Sequence, residues 1–347
     1  QEAVSSGLEY LRGLIDGADL RGDLCRRTCD LPVDAAFDWK AAEERVARQA
    51  RGRTAPLAAL QAIRAATTQP FDAGLQTERQ IFQQLLGSEQ RQAMVHAFFA
   101  ERAAARVPEL RGSPARPLRR IGVVGGGTMG SGIVAAALLA GFDVTLVETA
   151  GDSQQAATAR VSAILRGAVA RGKLGEAEAE RMMAQRLVPA TGCAALADAD
   201  LVIEAVVEDL SVKQSVFRAL DALCRPDCVL ASNTSYLDID ALASVTNRAG
   251  SVLGLHFFAP VHAMKLLEVV VPEEAAPEAV ATGFALAKRM AKTAVWSGVC
   301  DGFIGNRILH RCRTVADQMV LRGVDPSEID AALVAFGYPM VPYAVAD

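Results

Sequence analysis

The sequence predicts an α/β protein centred on a doubly wound, mostly parallel sheet, preceded by a helical segment with a linker and followed by the first helices of an all-α region. Three observations carry this expectation. Short β-branched runs alternate with segments of helical spacing between Arg120 and about Asp301. A glycine-rich turn joins the first such run directly to an apolar helix, and helical periodicity alone occupies the sequence on either side. The boundaries fall at 1–118, 119–301 and 302–347, and 347 residues exceed what one ordinary core encloses.

In the first segment apolar residues return at three and four positions through AAEERVARQA, PLAALQAIRAAT, TERQIFQQLL and SEQRQAMVHAFFAERAAARV. Thr77 reads as a good helix cap for the third of these and Ser88 as a partial one for the fourth. PELRGSPARPLRR then has the composition of a linker. In the second segment RIGVVG, DVTLVE, ADLVIEAV, CVLASN, SVLGLHF and LLEVVV read as strands. In the third, IGNRILHRCRTVADQMVLRG and PSEIDAALVAFG are helical, with Pro326 placed where a helix starts.

Composition excludes several classes of function. With 36 basic and 40 acidic residues, a net charge of −4, the chain has no blanket attraction to nucleic acid or anionic membrane. The longest apolar run, Ile133 to Phe142, is far short of the ~20 residues that cross a bilayer, so a soluble protein with no membrane span is expected. QEAVSSGLEY has neither a basic nor an apolar signal region, and the missing initiator Met points to a trimmed fragment. Seven cysteines, an odd number, read as reduced thiols. Cys25/Cys29 and Cys224/Cys228 lack a nearby His, so no metal site is expected.

Strand RIGVV runs into GGGTMG, which sets Gly125, Gly127 and Gly130 in a G-x-G-x-x-G frame with an apolar helix directly after it. The strand before and the helix after make this Rossmann-type signal specific. Glycines let the backbone turn tightly and approach a pyrophosphate, while the helix N-terminus offers free N–H groups to the anion. Glu148 ends the second strand, 23 residues past Gly125, where an acidic side chain accepts from ribose hydroxyls and repels a 2′-phosphate. NAD is therefore expected rather than NADP.

Among four histidines, His256 lies in the apolar run GLHFFAP, where a buried imidazole needs a partner. Twelve residues on, Glu268 interrupts the equally apolar LLEVVV, and a buried carboxylate needs one too. If they pair, the carboxylate fixes one ring nitrogen and leaves the other to take a proton from a substrate hydroxyl, as alcohol oxidation by NAD requires. The bland alternative is a satisfied core histidine and an outward-facing glutamate. Ser235, in SNTS after a strand, lies at the carboxyl end of the sheet, where ligands of such folds bind. Asn306, in GFIGNR, is either a site residue or a structural cap.

Together the motifs IGVVGGGTMGSGI, VIEAVVEDLSVK, ASNTS, GLHFFAPVHAMKLLEVV, DGFIGNRIL and FGYPM resemble 3-hydroxyacyl-CoA dehydrogenases, specifically the dehydrogenase part of multifunctional fatty-acid β-oxidation enzymes that fuse it to an enoyl-CoA hydratase. The resemblance implies that His256 is the base, Glu268 its orienting partner, and Ser235 and Asn306 the groups that hold the substrate's hydroxyl and thioester region. It implies that Thr128 and Met129 join the glycines at the nucleotide, and that Glu208 and Lys213 line its nicotinamide half. The implied substrate is an acyl-CoA thioester, and the implied partners are a thiolase subunit or a second copy of the chain.

Upstream, the segment from TTQPFDAGL to HAFFAER resembles the helical connection between hydratase and dehydrogenase, and LRGLIDG resembles the close of a crotonase-like hydratase domain. No hydratase activity is therefore expected. The chain departs from the family at Ala259, where Asn or Ser is common, at Val341, where Gly is, and at Asp301, where Pro is. The competing readings are a noncatalytic nucleotide-binding scaffold and a dehydrogenase of small free hydroxyacids, which would use a lysine base. Lysine supplies only 6 of the 36 basic residues, and alanine is abundant, which suggests a GC-rich bacterial source and the cytoplasm. A peroxisomal relative would carry its address at a C-terminus beyond this sequence.

Overall fold

The computed structural model describes residues 36–338 and 341–344. Cys25, Cys29 and the LRGLIDG stretch lie outside the described residues. The chain divides into two compact units, Gln1–Phe98 and Phe99–Asp347.

The first unit is helical, with α1 (Trp39–Ala50), α2 (Ala55–Thr68), α3 (Phe71–Leu86) and the start of α4 (Glu89–Ala104). Asp38 caps α1 by accepting the Ala41 N–H at 2.9 Å. The expected cap at Thr77 is a correction: α3 begins directly after Pro70, and Thr77 sits inside it, donating its hydroxyl to the Ala73 carbonyl at 3.0 Å. Ser88, the weaker signal, does cap, accepting the Arg91 N–H at 3.2 Å.

The second unit holds the sheet. Its elements run β1 (Arg120–Val124), α5 (Thr128–Leu139), β2 (Asp143–Glu148), α6 (Gly151–Ala170), α7 (Glu176–Arg181), β3 (Leu187–Thr191), β4 (Leu201–Glu204), α8 (Leu210–Leu223), β5 (Val229–Ser232), α9 (Ile239–Ala243), β6 (Val252–Phe257), β7 (Leu266–Val271), α10 (Pro277–Arg289), β8 (Thr293–Gly298), α11 (Gly305–Leu321) and α12 (Pro326–Phe336). The strands form one eight-stranded sheet in the order β3-β2-β1-β4-β5-β6-β7-β8. Every neighbouring pair is parallel except β6 with β7. All six expected strands are present, Pro326 opens α12 as expected, and β3 and β8 are additional.

Alternate residues of the strands feed two apolar layers. Ile121, Val123, Leu253, Leu255, Leu267 and Val269 pack toward α5, α6 and α10. Val124, Val252 and Val270 pack on the opposite face with Phe217 and Leu220 of α8 and Leu242 of α9. Period two puts His256 on the face of Val252 and Glu268 on the face of Val270. That is one and the same face. Among the described residues no helix is long and apolar enough to cross a membrane.

Candidate active site

The turn after β1 is built as its glycines require. Gly125 has φ +95°, and a Cβ there would lie 2.6 Å from the Ala205 carbonyl oxygen; one on Gly130 would lie 1.8 Å from the Gly125 oxygen. The turn is therefore closed against β4 and against the first turn of α5. At Gly127, by contrast, an added Cβ meets nothing within 4 Å, so the loop is open where an anion would approach the N-terminus of α5. Thr128 and Met129 form that helix's first turn. Glu148 ends β2 with Oε1 accepting the Gly126 N–H at 2.5 Å. The open backbone and the acid at the end of β2 fit a dinucleotide with an unphosphorylated ribose.

The antiparallel register sets His256 opposite Glu268. Facing residues of such a pair bring their side chains together, and His256 Nδ1 stands 2.6 Å from Glu268 Oε2, with the two residues 4% and 1% exposed. The other carboxylate oxygen, Oε1, accepts the N–H groups of Ile304 and Gly305 at 3.2 and 2.7 Å, at the start of α11. These donors occupy the second carboxylate oxygen, and the first, facing Nδ1, selects the Nδ1–H tautomer of the imidazole. Phe258 and Phe303 flank the ring with centroids at 4.5 and 5.6 Å. Phe303 takes φ +47°, just after Gly302 at +67°, a left-handed turn that aims the two N–H groups at Glu268. Nε2 of His256 meets no hydrogen-bond partner among the described residues. Among the described residues no fully buried side-chain nitrogen or oxygen lacks one, so that nitrogen keeps some exposure.

Ser235 and Asn306 are brought together: Asn306 Nδ2 donates to the Ser235 carbonyl at 3.5 Å, a long bond. Asn306 is the second residue of α11 and does not cap it. The Ser235 N–H donates to Glu208 Oε1 at 2.8 Å. Glu208 also accepts the Thr234 hydroxyl at 2.5 Å and faces Lys213 Nζ at 3.3 Å. Burial pushes the Glu208 carboxyl up, but the Thr234 hydroxyl, the Ser235 N–H and the Lys213 ammonium outweigh it and hold the group below its ordinary value. Lys213 is itself 1% exposed. Its ammonium is taken by Glu204, a residue the sequence reading passed over, at 2.8 and 3.1 Å.

Two further groups come from the structure alone. Asn233 Oδ1 accepts the Phe257 N–H at 2.9 Å and ties the SNTS loop to the histidine strand. The Ile304 and Gly305 N–H groups have no side-chain signature. Glu204 did carry a signal, an acid closing the apolar run LVI, of the same kind that identified Glu268. Cys224 and Cys228 are buried in the apolar layer beside α8, and among the described residues no group of three or more His, Cys, Asp or Glu is placed to hold a metal.

Comparison with known proteins agrees with this architecture. Residues 120–300 match the 3-hydroxyacyl-CoA dehydrogenase NAD binding domain, and residues 302–347 match the C-terminal domain of the same family. A peroxisomal bifunctional enzyme of Danio rerio is 40% identical over 325 residues, covering 92% of this chain and 44% of that protein. The chain thus spans less than half the length of this relative. Among solved structures, FadB2 of M. tuberculosis is 38% identical with a TM-score of 0.64, covering 66% of this chain and 82% of that one. An (S)-3-hydroxybutyryl-CoA dehydrogenase of Ralstonia eutropha is 32% identical, again with a TM-score of 0.64 and coverage of 66% and 82%. Matched through its sheet and into the helices beyond, the chain belongs to the 3-hydroxyacyl-CoA dehydrogenase family.

Proposed function

We propose that this chain oxidises an L-3-hydroxyacyl-CoA to the 3-ketoacyl-CoA with NAD, as part of a longer multifunctional β-oxidation enzyme. The observation that carries the reading is the buried His256–Glu268 pair, with Nε2 left open, in an NAD-binding domain. When bound, NAD supplies the acceptor for the hydride that leaves C3 of the substrate. His256 Nε2 takes the proton of the 3-hydroxyl, and Glu268 stabilises the imidazolium that results. Ser235 and Asn306 hold the substrate oxygen and thioester region. Gly125, Gly127, Thr128, Met129 and Gly130 would hold the pyrophosphate at the N-terminus of α5, and Glu148 would accept from the adenosine ribose. Glu208, with Lys213 behind it, would line the nicotinamide half of the cofactor.

Residues 1–118 are read as the tail of a hydratase domain plus linker, 119–301 as the NAD domain, and 302–347 as the start of the helical domain that contributes to acyl-CoA binding. Association with a thiolase subunit or a second copy belongs to the same reading. Preference for arginine over lysine supports a bacterial cytoplasm, and the name of the Danio rerio relative supports the peroxisomal matrix as the alternative. The test is reduction of acetoacetyl-CoA with NADH consumption, which a noncatalytic scaffold would not carry out although it bound NADH.

A further inference from the structure

The loop that carries Ser235 is held in an unusual way. Its four successive amides, Thr234 to Leu237, all donate to side-chain oxygens. Thr234 N–H donates to Ser232 Oγ at 3.2 Å, Ser235 N–H to Glu208 Oε1 at 2.8 Å, Tyr236 N–H to Glu208 Oε1 and Thr234 Oγ1 at 3.3 Å each, and Leu237 N–H to Thr234 Oγ1 at 2.9 Å. Each of those oxygens leads back to one residue. Ser232 Oγ donates to Glu204 Oε2 at 2.6 Å, and Thr234 Oγ1 donates to Glu208, whose Oε2 lies 3.3 Å from the Lys213 ammonium that Glu204 binds.

Glu204 is the fixed end of this network. It closes β4, is 0% exposed, and also accepts the Val206 N–H at 2.6 Å. Lys213 adds a contact to the Val206 carbonyl at 3.3 Å, so its three protons face four acceptors and none is left for a ligand. Among the described residues its ion-pair partners are Glu204 and Glu208. A lysine that served only to neutralise a core carboxylate would need no second acid. Here the second acid, with 41% of its side chain exposed, turns one oxygen to the lysine and the other to the loop.

We propose that Glu204 is a positioning residue for the reacting end of the substrate: it fixes Lys213, Lys213 fixes Glu208, and Glu208 with Ser232 holds Thr234–Leu237 so that Ser235 presents a constant surface. The inference rests on the reading that Ser235 contacts substrate, but its first test does not. Hydrogen–deuterium exchange on the whole, ligand-free chain reads the amides of residues 234–237 directly. Glu204→Gln keeps the shape and removes the charge, and it is expected to speed exchange there about tenfold or more while β1 and β6 stay protected. Glu204→Asp is expected to restore part of the protection.

In the acyl-CoA assay the Gln variant is expected to lose kcat about tenfold. Parent-like exchange at 234–237, or acceleration spread evenly over the sheet, would overturn the proposal. If Glu204→Gln alone does not fold, the Glu204→Gln/Lys213→Met double variant removes both buried charges, and full protection of 234–237 in it overturns the proposal equally. A parent chain with no acyl-CoA activity would count against the proposed function and leave the exchange result to decide on Glu204.

Discussion

His256–Glu268, across two strands, and Lys213–Glu204, between α8 and β4, are both buried pairs of a base and a carboxylate, yet only the first leaves its base an open position. In the first, Glu268 spends one oxygen on the imidazole and the other on two backbone N–H groups, while Nε2 stays free. In the second, every proton of the ammonium is engaged. The difference teaches that burial of an ionisable pair does not by itself mark chemistry. On the proposed function, what separates the reacting pair from the holding pair is one unpartnered position on the base.

The comparison can be broken at several points, the largest effect first. His256→Gln should lower the rate of acetoacetyl-CoA reduction roughly 10²–10⁴-fold with little change in thermal midpoint; a loss under about threefold would put both pairs in the holding class. Lys213→Met should act in the opposite sense, lowering stability by about 3–5 kcal/mol in chemical denaturation because Glu204 is left buried without its partner. An unchanged midpoint would show that the ammonium is dispensable. Adding Glu204→Gln to Lys213→Met should recover more than about half of that loss, since removing both charges costs less than stranding one. Gly305→Ala sharpens the contrast from the other side. Its Cβ would meet the Phe258 ring at 2.9 Å and Glu268 Oε1 at 3.4 Å, so a cost of about 1–3 kcal/mol and a measurable fall in kcat are expected.

The smallest effect concerns pH. Glu208 is held below its ordinary value despite the burial that pushes it up, so its contribution is present above the pKa of the unfolded chain and is lost as pH falls through the lower, folded value. Protection of residues 234–237, corrected for intrinsic exchange, should therefore persist from pH 7 to about pH 5 and fail only in more acid solution. Loss already near pH 6 would mean that the Thr234, Ser235 and Lys213 contacts do not hold the carboxylate.

Much of this was legible in the sequence where a residue contradicts its surroundings. His256 and Glu268 stand out because each interrupts an apolar strand, and the glycines of the first turn stand out because a strand and a helix frame them. Glu204 broke its run in the same way and was passed over, since it comes at the strand's last residue, where polarity is commonplace. β3 is an edge strand, half exposed and containing Pro189, so it lacks the apolar alternation that announces a strand. β8 alternates weakly, with Trp296 partly exposed. The start of α3 was misplaced because Thr77 resembles a cap while Pro70 supplies the real boundary. The donors to Glu268 are main-chain groups, common to nearly all residues and therefore invisible to any reading of side chains.

The reversal of direction between β6 and β7 makes spacing a chemical variable. Side chains alternate faces along a strand, so sliding β7 by a single position would carry Glu268 through to the opposite layer and set Leu267 or Val269 before the imidazole. The connection at residues 258–265, whose Val261 and Met264 carbonyls both accept from the Lys292 ammonium, holds that spacing. Surface connections ordinarily absorb the gain or loss of a residue without harm. Here the length of the connection bears on which side chain faces the histidine, so that one residue gained or lost at 258–265 is expected to separate His256 from Glu268.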